Sequence, residues 1–214
     1  QQDPADGTWS VGRYRARLMP ITSALPDHPE VAAVVEQYWE PIAGKYGEVI
    51  AQAEEDFAGW GDDRAEYNLV ADAVREIFRT DLALENLGGV RAPILRGDIT
   101  RADLVTMDPF NNTVVTFRIS GAELRRVLAK YQPAVSGIRY RVQGDEVVEA
   151  TVNGKPLRDD KKYRGAGNSY FAGYALKGIE VKDSGRSRLS TIEEYLRRQK
   201  KVRPSYDGRR RIVD

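Results

Sequence analysis

Residues 82–110 read LALENLGGVRAPILRGDITRADLVTMDPF. A short apolar run, residues 82–84, has strand character and stops at Asn86-Leu87-Gly88-Gly89-Val90-Arg91. Adjacent glycines after a strand let the backbone take φ > 0 and approach a ligand or another segment closely. Asn86 adds an amide to the turn, and Arg91 adds a planar, permanently charged fork of five donors. Pro109-Phe110-Asn111-Asn112 then sets an aromatic at the mouth of a second strand, residues 113–119. Alone, a Gly-Gly turn is an ordinary connection. Strand, Gly-Gly turn, Arg, short helix, Pro-Phe and strand in succession are also an economical way to build a polar and aromatic pocket.

Upstream, residues 1–26 scatter Trp9, Val11, Tyr14, Leu18 and Ile21 among polar and basic residues, which predicts an extended arm or edge strand. Asp27-His28-Pro29-Glu30 has the chemistry of a helix start: an N-cap, a first-turn proline and a Glu three residues after the cap. Val31, Val34, Val35, Tyr38, Trp39, Ile42 and Tyr46 follow at helical spacing. They predict one broad buried face on a helix that Pro41 bends and Gly47 ends. Residues 48–57 fit strand or helix. Residues 68–80 predict a helix with Leu69, Val70, Ala73, Val74, Ile77 and Phe78 facing inward.

Downstream, Thr100 with Asp103 and Ser120 with Glu123 read as capping boxes that open short helices. Residues 136–142 and 147–152 predict strands, with Asn153-Gly154 a hairpin turn. Residues 163–168 and 179–182 predict strands around an irregular loop. Ser190 or Thr191 caps a last helix, residues 192–200, and residues 211–213 form a closing strand. Strands and helices mix without strict alternation, so the expected class is α+β: a mixed sheet with helices, preceded by an arm and a connector helix.

Taken together, NLVADAVR (68–75), ALENLGGVR (83–91), the turn at Gly97-Asp98-Ile99-Thr100 and DPFNNTVVTFRISGAELRRVL (108–128) resemble the 5′-nucleotidase/UDP-sugar hydrolase family. The likeness is to the C-terminal, substrate-binding domain and covers most of the chain from about Trp9 onward. It implies that residues 1–46 are an arm and inter-domain connector helix and that residues 47–214 are the substrate-binding domain. It favours a strand within 48–57. It puts Asn86 and Arg91 on the ribose and phosphate side of a nucleotide, with Gly88 and Gly89 giving the close backbone approach. It makes Arg64 the second arginine, in a segment shortened to Arg64-Ala-Glu-Tyr-Asn68. Phe110 and Tyr170 become the two aromatics that sandwich the base, and Gly137 a loop glycine of the same site. The Gly-Gly-Asp-Gly that follows the second aromatic is absent, and Leu176 stands at its aspartate. A missing acceptor removes a strongly discriminating contact, so altered or weakened specificity is expected.

Composition bounds the chemistry. The chain has 214 residues, a net charge of +1, no cysteine and a single histidine, His28. One histidine cannot supply the ligands of a two-metal phosphatase centre, nor is there a Walker loop or HExxH. The resemblance therefore implies a divalent metal pair in a separate N-terminal metallophosphoesterase domain, with no cofactor in this chain, which alone is expected to be inactive. No apolar run reaches a membrane-spanning length, and no signal peptide is visible at Gln1, which reads as the start of a mature or excised fragment. Residues 1–100 carry 18 acids and 9 bases, and residues 101–214 carry 14 and 24. The basic tail lacks interleaved aromatics and reads as a solvated face or a dock for an acidic partner domain rather than a nucleic-acid surface. The expected ligand is a nucleotide or nucleoside, and the expected location extracellular or periplasmic. The alternative is a structural or interaction domain that kept the fold and lost the ligand.

Overall fold

The computed structural model describes residues 2–12, 14–19, 25–57 and 63–213; Ile21 of the expected arm lies outside them. The backbone divides into two units, Gln1–Pro41 and Ile42–Asp214. In the first, Gln2 and Trp9 form an isolated antiparallel bridge, and Trp9, Val11, Tyr14 and Leu18 are exposed. Helix α1 (Pro29–Tyr46), which runs from the first unit into the second, starts and stops where the Asp-His-Pro-Glu and Gly47 signals put it. Its apolar stripe is not buried. Val31, Val35 and Tyr38 are 59%, 61% and 73% exposed, and no residue of the helix is buried. Helical spacing records amphipathicity, but it does not specify a covering surface.

In the second unit the order is β1 (Val49–Ala53), α2 (Ala65–Phe78), β2 (Leu82–Glu85), β3 (Gly97–Thr100), α3 (Arg101–Met107) and β4 (Thr113–Ser120). Then come α4 (Gly121–Tyr131), β5 (Ala134–Ser136), β6 (Ile138–Gln143), β7 (Glu146–Val152), β8 (Lys155–Pro156) and β9 (Lys162–Asn168). The chain ends with α5 (Ser169–Ala175), β10 (Val181–Ser187), α6 (Arg188–Gln199), β11 (Lys201–Val202) and β12 (Arg210–Val213). Both capping boxes form: Thr100 and Ser120 each accept from the third helical N–H, and Asp103 and Glu123 answer back to the cap. Asn153 and Gly154 both take positive φ, 50° and 75°, as the two-residue hairpin between β7 and β8 requires.

Several boundaries differ from expectation: α2 begins and ends earlier than 68–80, β10 runs beyond 182, and the turn expected at 97–100 is strand β3. The strand expected over 136–142 is two strands, β5 and β6, broken at Gly137 with φ 74°. The loop expected after β9 contains α5, because the Asn168 side chain caps Phe171 N–H. The last helix starts at Arg188, since its N-cap is Ser187, whose hydroxyl accepts from Ser190 N–H.

The architecture is α+β with mixed sheets. The central sheet has the order β10-β4-β9-β2-β5. One face packs Leu82, Leu84, Val115, Phe117 and Ile119 against Leu124 and Leu128 of α4 and Phe171 of α5. The other packs Ala83, Val114 and Ala166 against Val74 of α2. A second core joins β1, α2, α3 and α6 through Ile50, Leu69, Leu104 and Ile192. β2 and β9 are parallel and β4 runs against them. The ends of β2 and β9 and the start of β4 therefore share one edge of the sheet.

Candidate functional site

That shared edge carries the Gly-Gly turn. Asn86 follows β2 directly, and Gly88 takes φ 97°, a region open mainly to glycine. Gly89 is small for a different reason: a Cβ there would lie 3.0 Å from Arg188 Nη1 and 3.2 Å from the Asn86 carbonyl. The turn is tied down from outside as well. Gly88 N–H donates to the Tyr67 hydroxyl at 2.7 Å, which donates onward to Val90 O at 3.4 Å. Arg91 N–H donates to Met107 O at 2.9 Å.

Beneath the turn lies a charged hub. Arg188 is 1% exposed. Its Nε and Nη2 grip both oxygens of Asp108 at 2.8 and 2.7 Å, and Nη1 donates to Glu85 Oε2 at 2.8 Å. Nη2 also donates to Gly89 O at 2.7 Å. Asn168 connects the hub to α5: its amide donates to Glu85 and, at 2.9 Å, to Asn86 Oδ1, while its oxygen caps Phe171 N–H at 2.8 Å. Burial pushes the Glu85 carboxyl up, opposed by Arg188 and Asn168, and its Oε1 has no hydrogen-bond partner. Burial pulls the Arg188 pKa down, but Glu85 and Asp108 together drive it above its ordinary value, so the guanidinium stays charged. Such a hub is costly to desolvate and costlier to break. Its effect is to fix a glycine turn that would otherwise be pliable.

Above the hub the surface is open. Arg91 lies with its Cζ 5.7 Å from the Phe110 ring centroid, within cation–π range. Phe110 is 44% exposed and Tyr170 62%. Their segments run side by side, since Thr113 N–H donates to Ser169 Oγ at 3.2 Å. Tyr170 is backed by Tyr174, edge-to-face at 5.4 Å. Arg64, at the N-cap of α2, lies 5.8 Å from the centroid of Tyr67, the residue that holds Gly88. Arg64, Asn86, Gly88, Gly89, Arg91, Phe110 and Tyr170 thus gather on or beside this edge.

Gly137 does not join them. β5 runs antiparallel to β2 with Ala134 opposite Glu85, so Gly137 lies beside the start of β2 and Asn86 beyond its end. A Cβ at Gly137 would come within 2.3 Å of Asp81 O, a packing reason for the glycine. Leu176 is 2% exposed inside the main core, so it is a core residue and not a substitute wall of the pocket. Arg188, Glu85, Asp108, Asn168 and Tyr67 escaped the sequence reading. A Glu closing an otherwise apolar strand (Leu-Ala-Leu-Glu) was the one available signal, because buried Glu demands a partner. Among the described residues no three His, Cys, Asp or Glu side chains converge to hold a metal ion, so the residues present do not fit a metal pair.

A family model for the 5′-nucleotidase C-terminal domain matches residues 49–178, more than half of the chain. The chain belongs to this family. Among curated relatives, Endonuclease YhcR of Bacillus subtilis is 31% identical over 160 residues, 67% of this chain and 13% of the relative. The 5′-nucleotidase of Vibrio parahaemolyticus is 37% identical over 113 residues, 49% of this chain and 20% of that enzyme. The crystal structure of the 5′-nucleotidase precursor from Thermus thermophilus superposes with a TM-score of 0.81 at 27% identity. It covers 89% of this chain and 44% of that one. The chain therefore spans a fifth or less of these curated relatives and under half of the solved structure. Among the described residues no helix is long and apolar enough to cross a membrane.

Proposed function

We propose that this 5′-nucleotidase C-terminal domain binds the nucleoside part of a nucleotide at the sheet edge, while a separate N-terminal domain with a divalent metal pair cleaves the phosphate ester. The carrying observation is the exposed Arg91–Phe110 pair beside Tyr170, on a turn clamped by buried Arg188. The two ring faces offer stacking surfaces for a base. Arg91, with Arg64 nearby, supplies charge for a phosphate, and Gly88 admits close approach. Residues 1–46 would serve as arm and connector, residues 47–214 as the binding domain. On this reading the protein would work in the periplasm or outside the cell.

Selectivity among bases is expected to be poor, because Leu176 is packed inward and supplies no acceptor. Calorimetric titration with AMP, UMP and adenosine tests the reading. Arg91→Ala should weaken AMP and UMP more than adenosine. Equal losses for all three would deny Arg91 the phosphate, and absence of binding by any of them would remove the function.

A further inference from the structure

The opposite end of the same sheet holds a second cleft of about 600 Å³, lined by Phe78, Thr80, Arg118, Lys162, Arg164 and Lys182 among others. That volume falls in the range of small-molecule sites. Strand register explains its charge. Arg118 on β4 lies directly opposite Arg164 on β9, and Lys162 is two residues along β9 on the same face. Lys182 on β10 is opposite Thr116, two residues from Arg118 and again on that face. Cross-strand neighbours stand about 5 Å apart, and like charges directly opposite are destabilising. Among the described residues none of the four cations forms an ion pair within 4.0 Å. Two acids border the cleft. One Glu123 oxygen is already committed to the Ser120 hydroxyl and N–H, and Glu180 stands just outside β10.

We infer that this cleft binds a triphosphate chain, as free tripolyphosphate or as the tail of a nucleoside triphosphate. Four cations without ion pairs around one cleft suit several phosphate groups at once: the Arg118 guanidinium fork matches phosphate oxygens two at a time, and Arg164, whose Nη2 donates to Arg79 O at 3.1 Å, adds its charge and its remaining donors. The bordering carboxylates confine the positive field to a short oligoanion and disfavour an extended polyanion. The partly buried Phe78 and Ile179 give an apolar margin. The cleft is separate from the Asn86–Phe110 edge, because Arg118 and Arg164 lie towards the end of β4 and the start of β9.

The test is an NMR titration of the full chain with inorganic tripolyphosphate and, in a second arm, with ATP, each at low salt. Backbone resonances of Gly165 and Gly178 report this cleft, and those of Gly88 and Gly89 report the other edge. Saturable shifts at Gly165 and Gly178 in either arm support the inference, and shifts in the ATP arm alone assign the nucleoside triphosphate. The double variant Arg118→Gln/Lys182→Gln removes two exposed charges, one of them from a repelling pair, and should weaken binding about tenfold. Lys155→Gln, outside the cleft, should leave it unchanged. No saturable shift at Gly165 and Gly178 in either arm, or a double variant that binds as tightly as the parent, overturns the inference.

Discussion

Arg188 joins three segments far apart in sequence: Glu85 at the end of β2, the Gly89 carbonyl of the turn, and Asp108 before Phe110. Arg188→Ala would leave two carboxylates buried and unpaired, so it should destabilise the domain by about 3–5 kcal/mol in urea unfolding. A loss under ~1 kcal/mol would show that the hub is solvated, contrary to its geometry. Glu85 gives a prediction in pH. Its folded carboxyl is raised above its ordinary value of 4.5, so the folded state holds that proton more tightly than the unfolded chain. The group's contribution to stability is complete below 4.5 and is lost as pH rises through the raised value. Glu85→Gln cannot titrate, so its stability relative to the parent should climb across that window and then level off. A difference that is flat, or that falls with pH, would contradict the assignment. Neither residue was legible from sequence, because Arg and Glu are mostly exposed and a single chain does not reveal which are exceptions. The residues that were legible, Asn86, Arg91 and Phe110, belong to one contiguous turn.

At the scale of elements, what the sequence encoded locally was readable. Both capping boxes, the Asn153-Gly154 hairpin and the stop at Gly47 depend on neighbours a few residues apart. What failed depended on tertiary partners. Helix α5 was hidden because Asn168, its cap, read only as the last residue of a strand, and the apolar stripe of α1 carried no sign of what would cover it. Asn168→Ala should cost about 1–2 kcal/mol for the lost cap alone, with a further loss from the Asn86 and Glu85 contacts, read by thermal unfolding. With no buried residue, α1 is held by its own backbone bonds, and isolated helices are marginal in water. Its amides should exchange much faster than those of α2, where Ala71, Ala73 and Val74 are fully buried. Comparable protection of the two helices would mean that α1 is covered after all. Leu176→Asp, at the position where the resemblance led us to expect an aspartate, should bury an unpaired carboxylate and destabilise by several kcal/mol.

For the whole molecule, the topology does the arranging. A parallel β2/β9 pair with β4 running against it brings a glycine turn, an aromatic and a helix cap to one edge, although 84 positions separate Asn86 from Tyr170. That gathering was legible only through family resemblance, since no local pattern specifies strand order. In the proposed binding mode a base stacks at Phe110 and Tyr170 while Asn86 and Arg91 hold its polar end. An isolated domain with modest stacking and no aspartate at position 176 should bind nucleotides weakly, with Kd on the order of 0.1–1 mM. Base stacking on an aromatic contributes about 1–3 kcal/mol, so Phe110→Ala or Tyr170→Ala should push binding out of range. The direct measurement is an NMR titration with AMP, UMP, a UDP-sugar and adenosine, following Gly88, Gly89 and the two aromatic rings. Saturable shifts at all four positions in the parent, lost in either alanine variant, are the predicted result. Saturating ligand that moves none of them would contradict nucleotide recognition at this edge.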